Sequence, residues 1–315
     1  MSPRSAAACV VVFLMLLGGD AASAQTVIDQ DQPLRILSWN VYGLPRIAQI
    51  SGQTPPPKKV RKKERAHRIA DLVNASDYHI LVLQETFHGG MRRVLRRRLT
   101  HSFPYQYGPA NPSGASLKTN SGLSVYSRIP LRHLDEIRFD ACTGVDCWAK
   151  KGAVLLQGDW LGVPFQVMNT HLNAGGPQSI RDDQYRQIRE ELLDRFTLEG
   201  VPQILCGDFN TQRDDPDEYP VMLDVLDARD APTDSEYECT SDHARKDLNS
   251  DSDRSKCSII DYVLHRANGG RIRILEKHVR ILEHPWGRFG QSSLSDHFAV
   301  EVSVELLPDT VVVPN

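Results

Sequence analysis

Acidic, amide and imidazole side chains follow several strand-like runs of this sequence, at or just beyond the point where each run stops. Asp208 and Asn210 end the stretch "ILCGDFNT" (204–211), and positions i and i+2 of an extended chain point to the same side. The same pattern includes Asn40, Glu85, His171, Asn173, Asp261, Asp296 and His297. One such residue usually makes a turn or a structural hydrogen bond. Packed strands can bring their ends to one rim, so the repetition predicts a single acidic pocket with two histidines.

The donor atoms of this pocket predict a metal-dependent reaction. Hard oxygen ligands without thiolates select Mg²⁺, with Mn²⁺ or Co²⁺ as alternatives, and Mg²⁺ is typically held by one or two carboxylates plus a substrate phosphate. Glu85 is the best single ligand among the candidates. The cysteine spacings do not suit a zinc cluster. We therefore expect an oxygen-ligated cation that acts on a phosphate group.

Two histidines could handle protons and charge during hydrolysis of a phosphodiester. His297 is the predicted base that takes a proton from water, and Asp296, its neighbour in "SDH", is the predicted carboxylate that orients it. His171 is predicted to stabilise phosphate charge or to assist the leaving group, with Asp261 as its partner. Asp208 and Asn210 would then position the nucleophile and a phosphate oxygen.

Length and composition indicate a globular, exported protein. The chain has 315 residues, of which 40% are hydrophobic and 24% charged. Arg4, an apolar run over 6–17 and "AASAQ" predict a signal peptide at residues 1–24 that is cut before Gln25. That run is too short to span a bilayer, so we expect a soluble protein that is secreted or periplasmic. Removal of the signal takes away one Arg and one Asp, so the net charge stays at −3 and gives no bias toward nucleic acid.

Export also permits disulfide bonds among the five remaining cysteines. The expected pairs are Cys142 with Cys147, which are close in sequence, and Cys239 with Cys257. Cys206 lies in the apolar "QILC" run and is expected to be a buried free thiol.

The elements that must position these side chains are short strands and a few helices. Strands are predicted over 34–42 and 79–85 and in "SGLSVYSR", "GAVLLQGDW", "PFQVMNTHL", "VPQILCGDFN", "SIIDYVLH", "RIRILEKHVR" and "SDHFAVEVSVEL". Helices are predicted over 64–74 and 179–196, the second with Ser179 as its cap. No repeat or domain boundary is evident, so residues 25–315 are expected to form one domain, with sheets packed at its centre and helices around them.

Six motifs in order, "SWNVYGLP", "LVLQET", "NTHLN", "CGDFNT", "IIDYVL" and "LSDHFAV", resemble the endonuclease/exonuclease/phosphatase superfamily over about residues 34–305. The resemblance implies a four-layered α/β sandwich, in which two packed mixed β-sheets are flanked by helices. It also implies roles that agree with those above. Asn40 and Glu85 would lie at the metal, His171 and Asp261 on one side, Asp208 and Asn210 at the phosphate, and Asp296 with His297 would form the base pair.

Three further segments look more like the sphingomyelinases of this superfamily: "NSGLSVYSRIPL" (120–131), "DCWAKKGAVLL" (146–156) and "VMNTHLNAG". The second contains Lys151-Gly152, with Asp146 as the matching acid. Inositol phosphatases carry Cys-Asp-Arg where this chain has Ile260, Asp261 and Tyr262, which argues against that branch. The resemblance implies hydrolysis of sphingomyelin or a related phospholipid, with Lys151 and Asn173 among the residues near the substrate.

The partner of the pocket could be a membrane surface or a nucleic acid. Trp286 and Phe289, in a Gly-flanked loop before "SDH", could insert into the lipid interface or could pack beneath the loop. The basic runs 58–68 and 91–98 could instead contact nucleic acid, so an exported Mg²⁺-dependent nuclease of the pancreatic deoxyribonuclease kind is the alternative. A third alternative is a non-catalytic binding module with this fold. No obligate protein partner is evident, and a monomer is expected.

Overall fold

Apolar runs of the sequence form the central strands of two six-stranded mixed β-sheets. The computed structural model describes residues 32–45, 61–114, 118–242, 257–286 and 291–308, so the predicted signal peptide lies outside the described residues. In chain order the strands are β1 (Leu34–Asn40), β2 (Ile80–Gln84), β3 (Tyr105–Tyr107), β4 (Ser124–Ser127), β5 (Leu131–Arg138), β6 (Gly152–Trp160), β7 (Val163–His171), β8 (Gln203–Asp208), β9 (Arg229–Asp230), β10 (Ser241–Asp242), β11 (Cys257–Ser258), β12 (Asp261–Arg266), β13 (Arg271–Arg280), β14 (Glu283–Trp286), β15 (Gln291–Ser293) and β16 (Ala299–Leu307).

The first large sheet has the strand order β13-β16-β1-β2-β4-β3, and the second has the order β5-β6-β7-β8-β12-β9. β1 runs parallel to β2 and β7 parallel to β8, and the other pairs in these sheets are antiparallel. Two short hairpins, β10 with β11 and β14 with β15, complete the strand pairing of the described residues.

Helices cover the outer face of each sheet. They are α1 (Lys62–Asn74), α2 (Gly89–Leu99), α3 (Gln178–Ile188) and α4 (Tyr219–Leu226), and α3 continues through a π-helical segment (Arg189–Leu193) into a 3₁₀ turn (Asp194–Phe196). Apolar residues of α1 and α2 pack on the first sheet, and those of α3 and α4 pack on the second. The predicted four-layered α/β sandwich is therefore confirmed.

Both faces of the central strands are buried, which explains why their sequences are largely apolar. In β2, Ile80 and Val82 pack in the core between the sheets, whereas Leu81 and Leu83 pack under the helices. The polar residues of the site consequently lie mostly at the ends of these strands, where the core stops. The sequence pattern of the site is thus a direct result of the layered architecture.

Strand direction brings those polar ends to one edge of the sandwich. β16 is antiparallel to β1, so the residues just before Ala299 lie beside the carboxyl end of β1. In the second sheet Asp208 is paired with His171 on one side and with Asp261 on the other. The carboxyl ends of β1, β2, β7 and β8 therefore meet the amino ends of β12 and β16.

Two disulfide bonds join Cys142 to Cys147 and Cys239 to Cys257, and Cys206 is a buried free thiol. All three cysteine predictions are confirmed. Among the described residues, no helix has the length and apolar character needed to cross a membrane.

Candidate active site

Hydrogen bonds between the two sheets bring the site together. Asn40 at the end of β1 donates its Nδ2 to Asp208 Oδ2 at the end of β8, over 2.9 Å. Below this contact, Gln84 Nε2 of β2 donates to Asn169 Oδ1 of β7, also over 2.9 Å. Sequence reasoning did not identify Gln84 or Asn169, although an amide inside an otherwise apolar strand is a recognisable signal. Because buried amides need partners, these contacts fix how the two sheets align at the site.

His297 is oriented by Asp261. Its Nδ1 lies 2.8 Å from Asp261 Oδ2, and its Nε2 lies 3.9 Å from Asp208 Oδ2. The prediction that Asp296 orients His297 is therefore wrong, because the imidazole reaches across to the other sheet. Burial lowers the pKa of His297, but the nearby Asp261 and Asp208 carboxylates outweigh it and raise the pKa to about 10.

Ser295 secures the backbone that carries this histidine. Its Oγ donates to the carbonyl oxygen of Asn40 over 2.5 Å and accepts a hydrogen bond from His297 N over 3.2 Å. The serine of "SDH" therefore ties the histidine segment to the end of β1, a role that sequence reasoning did not assign.

His171 lies against Lys151 rather than against Asp261, which corrects its predicted partner. Its Nε2 is 3.1 Å from Lys151 Nζ and 3.4 Å from Asp208 Oδ2. Lys151 Nζ is also 2.8 Å from Asp146 Oδ1 and donates to Leu172 O over 2.8 Å. Burial, followed by the charge of Lys151, lowers the pKa of His171 well below its usual range. His171 is thus neutral near neutral pH, and Lys151 supplies the positive charge at this side of the site.

Glu85 is held in a strained conformation at the end of β2. Its φ is 57°, in the left-handed region that costs a residue with a Cβ atom energy, and such strain concentrates at functional sites. Gly43 allows this arrangement, because a Cβ at position 43 would lie 2.3 Å from the Glu85 carbonyl oxygen. Burial and the nearby Asp296 charge raise the pKa of Glu85 to about 8.

Asn210 has a similar left-handed conformation, with φ of 50°, just beyond β8. An Asn adopts it more easily than most residues. Its backbone N donates to Asp208 Oδ1 over 3.0 Å, and its Nδ2 donates to Leu172 O over 3.1 Å. Burial and the adjacent Asp261 raise the pKa of Asp208 to about 6. The turn in "GDFNT" thus holds Asp208 in the cluster and places Asn210 at its border.

The donor atoms of the cluster fit a hard divalent cation. Glu85 Oε2 and Asp261 Oδ1 are buried without a hydrogen-bond partner among the described residues, which is costly unless another group satisfies them. One ligand atom from each of Asp208, Asp261 and His297 lies within 4.8 Å of the others. The His297–Asp261 hydrogen bond already satisfies part of that trio, so Glu85 is the stronger ligand candidate, with the Asn40 oxygen beside it. The Asn40 oxygen accepts one hydrogen bond, from Tyr42 N over 3.1 Å, and keeps a second lone pair.

Four residues are predicted to contact substrate or membrane, and their surroundings in the structure differ: Lys151, Asn173, Trp286 and Phe289. Lys151 belongs to the cluster, as described above. Asn173 is buried, and its Oδ1 accepts from Thr143 N over 3.0 Å while its Nδ2 donates to Gly175 O over 2.6 Å, so it holds the neighbouring loops. Its contact with substrate remains a prediction.

Trp286 packs inside the protein. It is only 3% exposed, lies in the apolar cluster beneath α1, and donates Nε1 to Ser293 O over 2.9 Å. A side chain buried in this way does not insert into lipid, which corrects the prediction for Trp286; the alternative of packing beneath the loop describes it instead. Phe289 lies outside the described residues.

A sequence profile of the endonuclease/exonuclease/phosphatase family matches residues 37–297, which include every cluster residue described above. The chain therefore belongs to the endonuclease/exonuclease/phosphatase family, and it is a hydrolase of phosphoric ester bonds.

Curated relatives of the chain include bacterial sphingomyelinases. The chain is 25% identical over 209 residues to sphingomyelinase C 2 of Leptospira interrogans, a match that covers 60% of this chain but 32% of the length of that relative. It is 22% identical over 328 residues to a sphingomyelinase C of Bacillus cereus, with 93% of this chain and 95% of that protein covered.

Solved structures confirm the fold. A beta toxin variant from Staphylococcus aureus with bound magnesium ions superimposes with a TM-score of 0.71 at 19% identity, over 86% of this chain and 99% of that one.

Proposed function

We propose that this protein is an exported, Mg²⁺-dependent phosphodiesterase that hydrolyses sphingomyelin or a related phospholipid and releases the phosphorylated headgroup. The observation that carries the proposal is the His297–Asp261 pair facing Asp208, next to the unpartnered carboxylate oxygen of Glu85. The similarity to sphingomyelinases over almost the whole chain supports the choice of a phospholipid substrate.

The protein's own residues supply a base, an orienting acid and positive charge. His297 Nε2 faces the cluster and is placed to take a proton from an attacking water, while Asp261 fixes the tautomer through Nδ1 and stabilises the imidazolium. Lys151 offers its charge to a phosphate oxygen, and neutral His171 lies between it and Asp208. Asn40 and Asn210 present amide groups that can orient the phosphate and the nucleophile.

Glu85 and Asn40 would hold the cation, and Asp208 and Asp296 carry the nearby negative charge. When bound, Mg²⁺ would act as a Lewis acid on the phosphate and, by neutralising the carboxylates, would bring the pKa of His297 down toward neutrality. The beta toxin structure with bound magnesium ions has the same fold and supports the choice of metal.

The nuclease alternative depends on the basic segments. In the second of them, α2, Arg92 donates to the carbonyl oxygens of Thr86 and Phe87, and Arg98 pairs with Asp71, so two of its five cations already have partners in the protein. The first segment lies partly outside the described residues. This observation favours lipid over nucleic acid.

The decisive experiment compares hydrolysis of sphingomyelin vesicles, phosphatidylcholine vesicles and double-stranded DNA, each with Mg²⁺ and with chelator. We expect release of phosphocholine from sphingomyelin that stops with chelator. Cleavage of DNA alone would establish the nuclease alternative, and no turnover on any of them would revive the binding module.

Substitution of the base tests the site itself. His297→Ala is expected to abolish turnover while circular dichroism and thermal unfolding remain those of a folded protein. His101→Ala, which changes an exposed histidine on the loop after α2, serves as the matched control. Near wild-type turnover in His297→Ala would exclude His297 as the base.

A further inference from the structure

A short 3₁₀ helix, Gly144–Trp148, carries two exposed apolar side chains next to the catalytic cluster. Trp148 is 54% exposed and Val145 is 47% exposed. Side chains at positions i and i+3 of a 3₁₀ helix eclipse one another, so Val145 and Trp148 project from the same side. The other large apolar residues that are exposed in the described chain lie singly on other elements and loops, which is ordinary for a protein surface.

Asp146, on another side of this helix, bonds it to the site. Asp146 pairs with Lys151 over 2.8 Å and accepts a hydrogen bond from Ala174 N over 2.6 Å, and Lys151 contacts His171. The Val145–Trp148 face therefore lies at the rim of the cluster, with one acidic residue between it and the catalytic lysine.

A disulfide and backbone hydrogen bonds hold this helix, so its exposed face is a fixed part of the surface. The Cys142–Cys147 disulfide closes the segment, and Thr143 N donates to Asn173 Oδ1. At the other end Thr119 N donates to Trp148 O over 2.8 Å. A surface that is rigid in advance loses little conformational freedom when it binds.

The chemistry of this face matches a phospholipid surface. Trp is favoured at the boundary between headgroups and acyl chains. Lys118 and Arg138 line the crevice between this helix and the cluster, where they can face lipid phosphates. A patch of two apolar residues is far smaller than the roughly 800 Å² per partner of a stable protein interface, so a lipid surface fits it better than a protein does.

We propose that the Val145–Trp148 face inserts into the headgroup–acyl boundary of a phospholipid bilayer and holds the catalytic cluster against it. The inference rests on the proposed action on phospholipid. It assigns the membrane contact to the segment 142–148 instead of to Trp286.

Native tryptophan fluorescence tests the contact directly. The chain has four tryptophans, and Trp39, Trp160 and Trp286 are only 1%, 2% and 3% exposed, so a quencher in the membrane can reach Trp148 far more readily than the others. Vesicles of brominated phosphatidylcholine, with chelator present to prevent turnover, should quench the wild-type fluorescence and leave that of Trp148→Ala unchanged. The same quenching in both proteins, or quenching in neither, would overturn the proposal.

Turnover on two substrates separates docking from catalysis. We expect Trp148→Ala to lower hydrolysis of sphingomyelin vesicles at least about tenfold, equivalent to about 1.4 kcal/mol, and to leave hydrolysis of a soluble phosphodiester within about twofold of wild type. Leu198→Ala is the matched control, because Leu198 is 50% exposed and precedes β8, at the end away from Asp208. An equal loss on both substrates would mean that Trp148 supports the loop and would overturn the proposal. If the wild type hydrolyses no phospholipid, the proposed function fails, and the quenching result still decides the membrane contact.

Discussion

Replacing Glu85 with Gln should stabilise the metal-free protein and abolish its response to Mg²⁺. Burial and the Asp296 charge raise the pKa of Glu85 from its ordinary value of 4.5 to about 8, so its ionisation opposes folding. This loss in the free energy of unfolding is absent below the unfolded pKa. It grows as the pH rises from about 4.5 to about 8 and is constant above that.

The size of the effect follows from the same values. Each pH unit in that interval is worth about 1.4 kcal/mol, so at neutral pH the unfolded chain gains about 3 kcal/mol by ionising Glu85. Gln has the shape of the protonated acid and does not ionise, but its amide brings donors of its own into a buried site. We therefore expect Glu85→Gln to raise the free energy of unfolding by about 1–3 kcal/mol in the presence of chelator.

The assay is urea unfolding of the wild type, Glu85→Gln and the exposed control Glu190→Gln, each with chelator and with saturating Mg²⁺. A ligand at about 100 times its Kd stabilises the folded state by about 2.7 kcal/mol, which the wild type and the control should gain and Glu85→Gln should not. If Glu85→Gln is less stable than the wild type in chelator, the burial argument is refuted. If Mg²⁺ stabilises it as much as the wild type, Glu85 is not a ligand.

Three further substitutions test other parts of the structure. Asp261→Asn removes the charge that most raises the pKa of His297, so that pKa should fall in an NMR titration and kcat should drop by about 10²–10⁴-fold; an unchanged imidazole pKa would contradict the pairing. Gly43→Ala puts a Cβ 2.3 Å from the Glu85 carbonyl oxygen and should cost about 1–3 kcal/mol in thermal unfolding, with loss of Mg²⁺ affinity; wild-type values in both measurements would show that the loop adjusts freely. Burial raises the pKa of Glu301, but hydrogen bonds from an arginine and a tyrosine hold it at about 2. Glu301→Gln should therefore lower the free energy of unfolding by about 1–3 kcal/mol at neutral pH, and this loss should shrink as the pH falls from about 4.5 to about 2. A loss that is independent of pH would contradict this account.

The fold was predictable because buried strands leave a plain pattern. Apolar runs such as "ILVLQ" and "QILCGD" became β2 and β8, and the segment after Ser179 became a helix. The prediction that Ser179 caps this helix is wrong, because α3 begins at Gln178, directly after Pro177. α2 and α4 were not identified as helices. Five arginines obscure the apolar positions Met91, Leu95 and Leu99 of α2, and acidic, turn-forming residues surround the eight residues of α4.

The members of the site were predictable, but their pairing was not. Strand ends identify Asp261, Asp296 and His297 as candidates, and adjacency in sequence favoured Asp296 as the partner of His297. The choice of Asp261 depends on how far one sheet is shifted against the other, and buried amides such as Asn169 set that shift. Contacts across packed sheets join residues far apart in sequence, so no local pattern reports them.

Trp286 and Trp148 show the same limit for aromatic residues. Both lie in segments with turn-forming neighbours. The sequence pattern offered Trp286 for contact with lipid, with packing beneath the loop as the alternative, and did not single out Trp148. The structure buries Trp286 beneath α1 and exposes Trp148. The Cys142–Cys147 disulfide was predicted, but the exposure of the neighbouring Trp148 was not.

The Asn40–Asp208 and Gln84–Asn169 hydrogen bonds cross the plane along which the two sheets meet. The residues proposed to act in catalysis are divided between the two sheets. Partial denaturation that loosens the packing between the sheets would therefore abolish turnover, although each sheet would retain its strands, as in a molten globule. Turnover in this protein therefore depends on tertiary packing. During denaturation it should disappear before the far-ultraviolet circular dichroism changes.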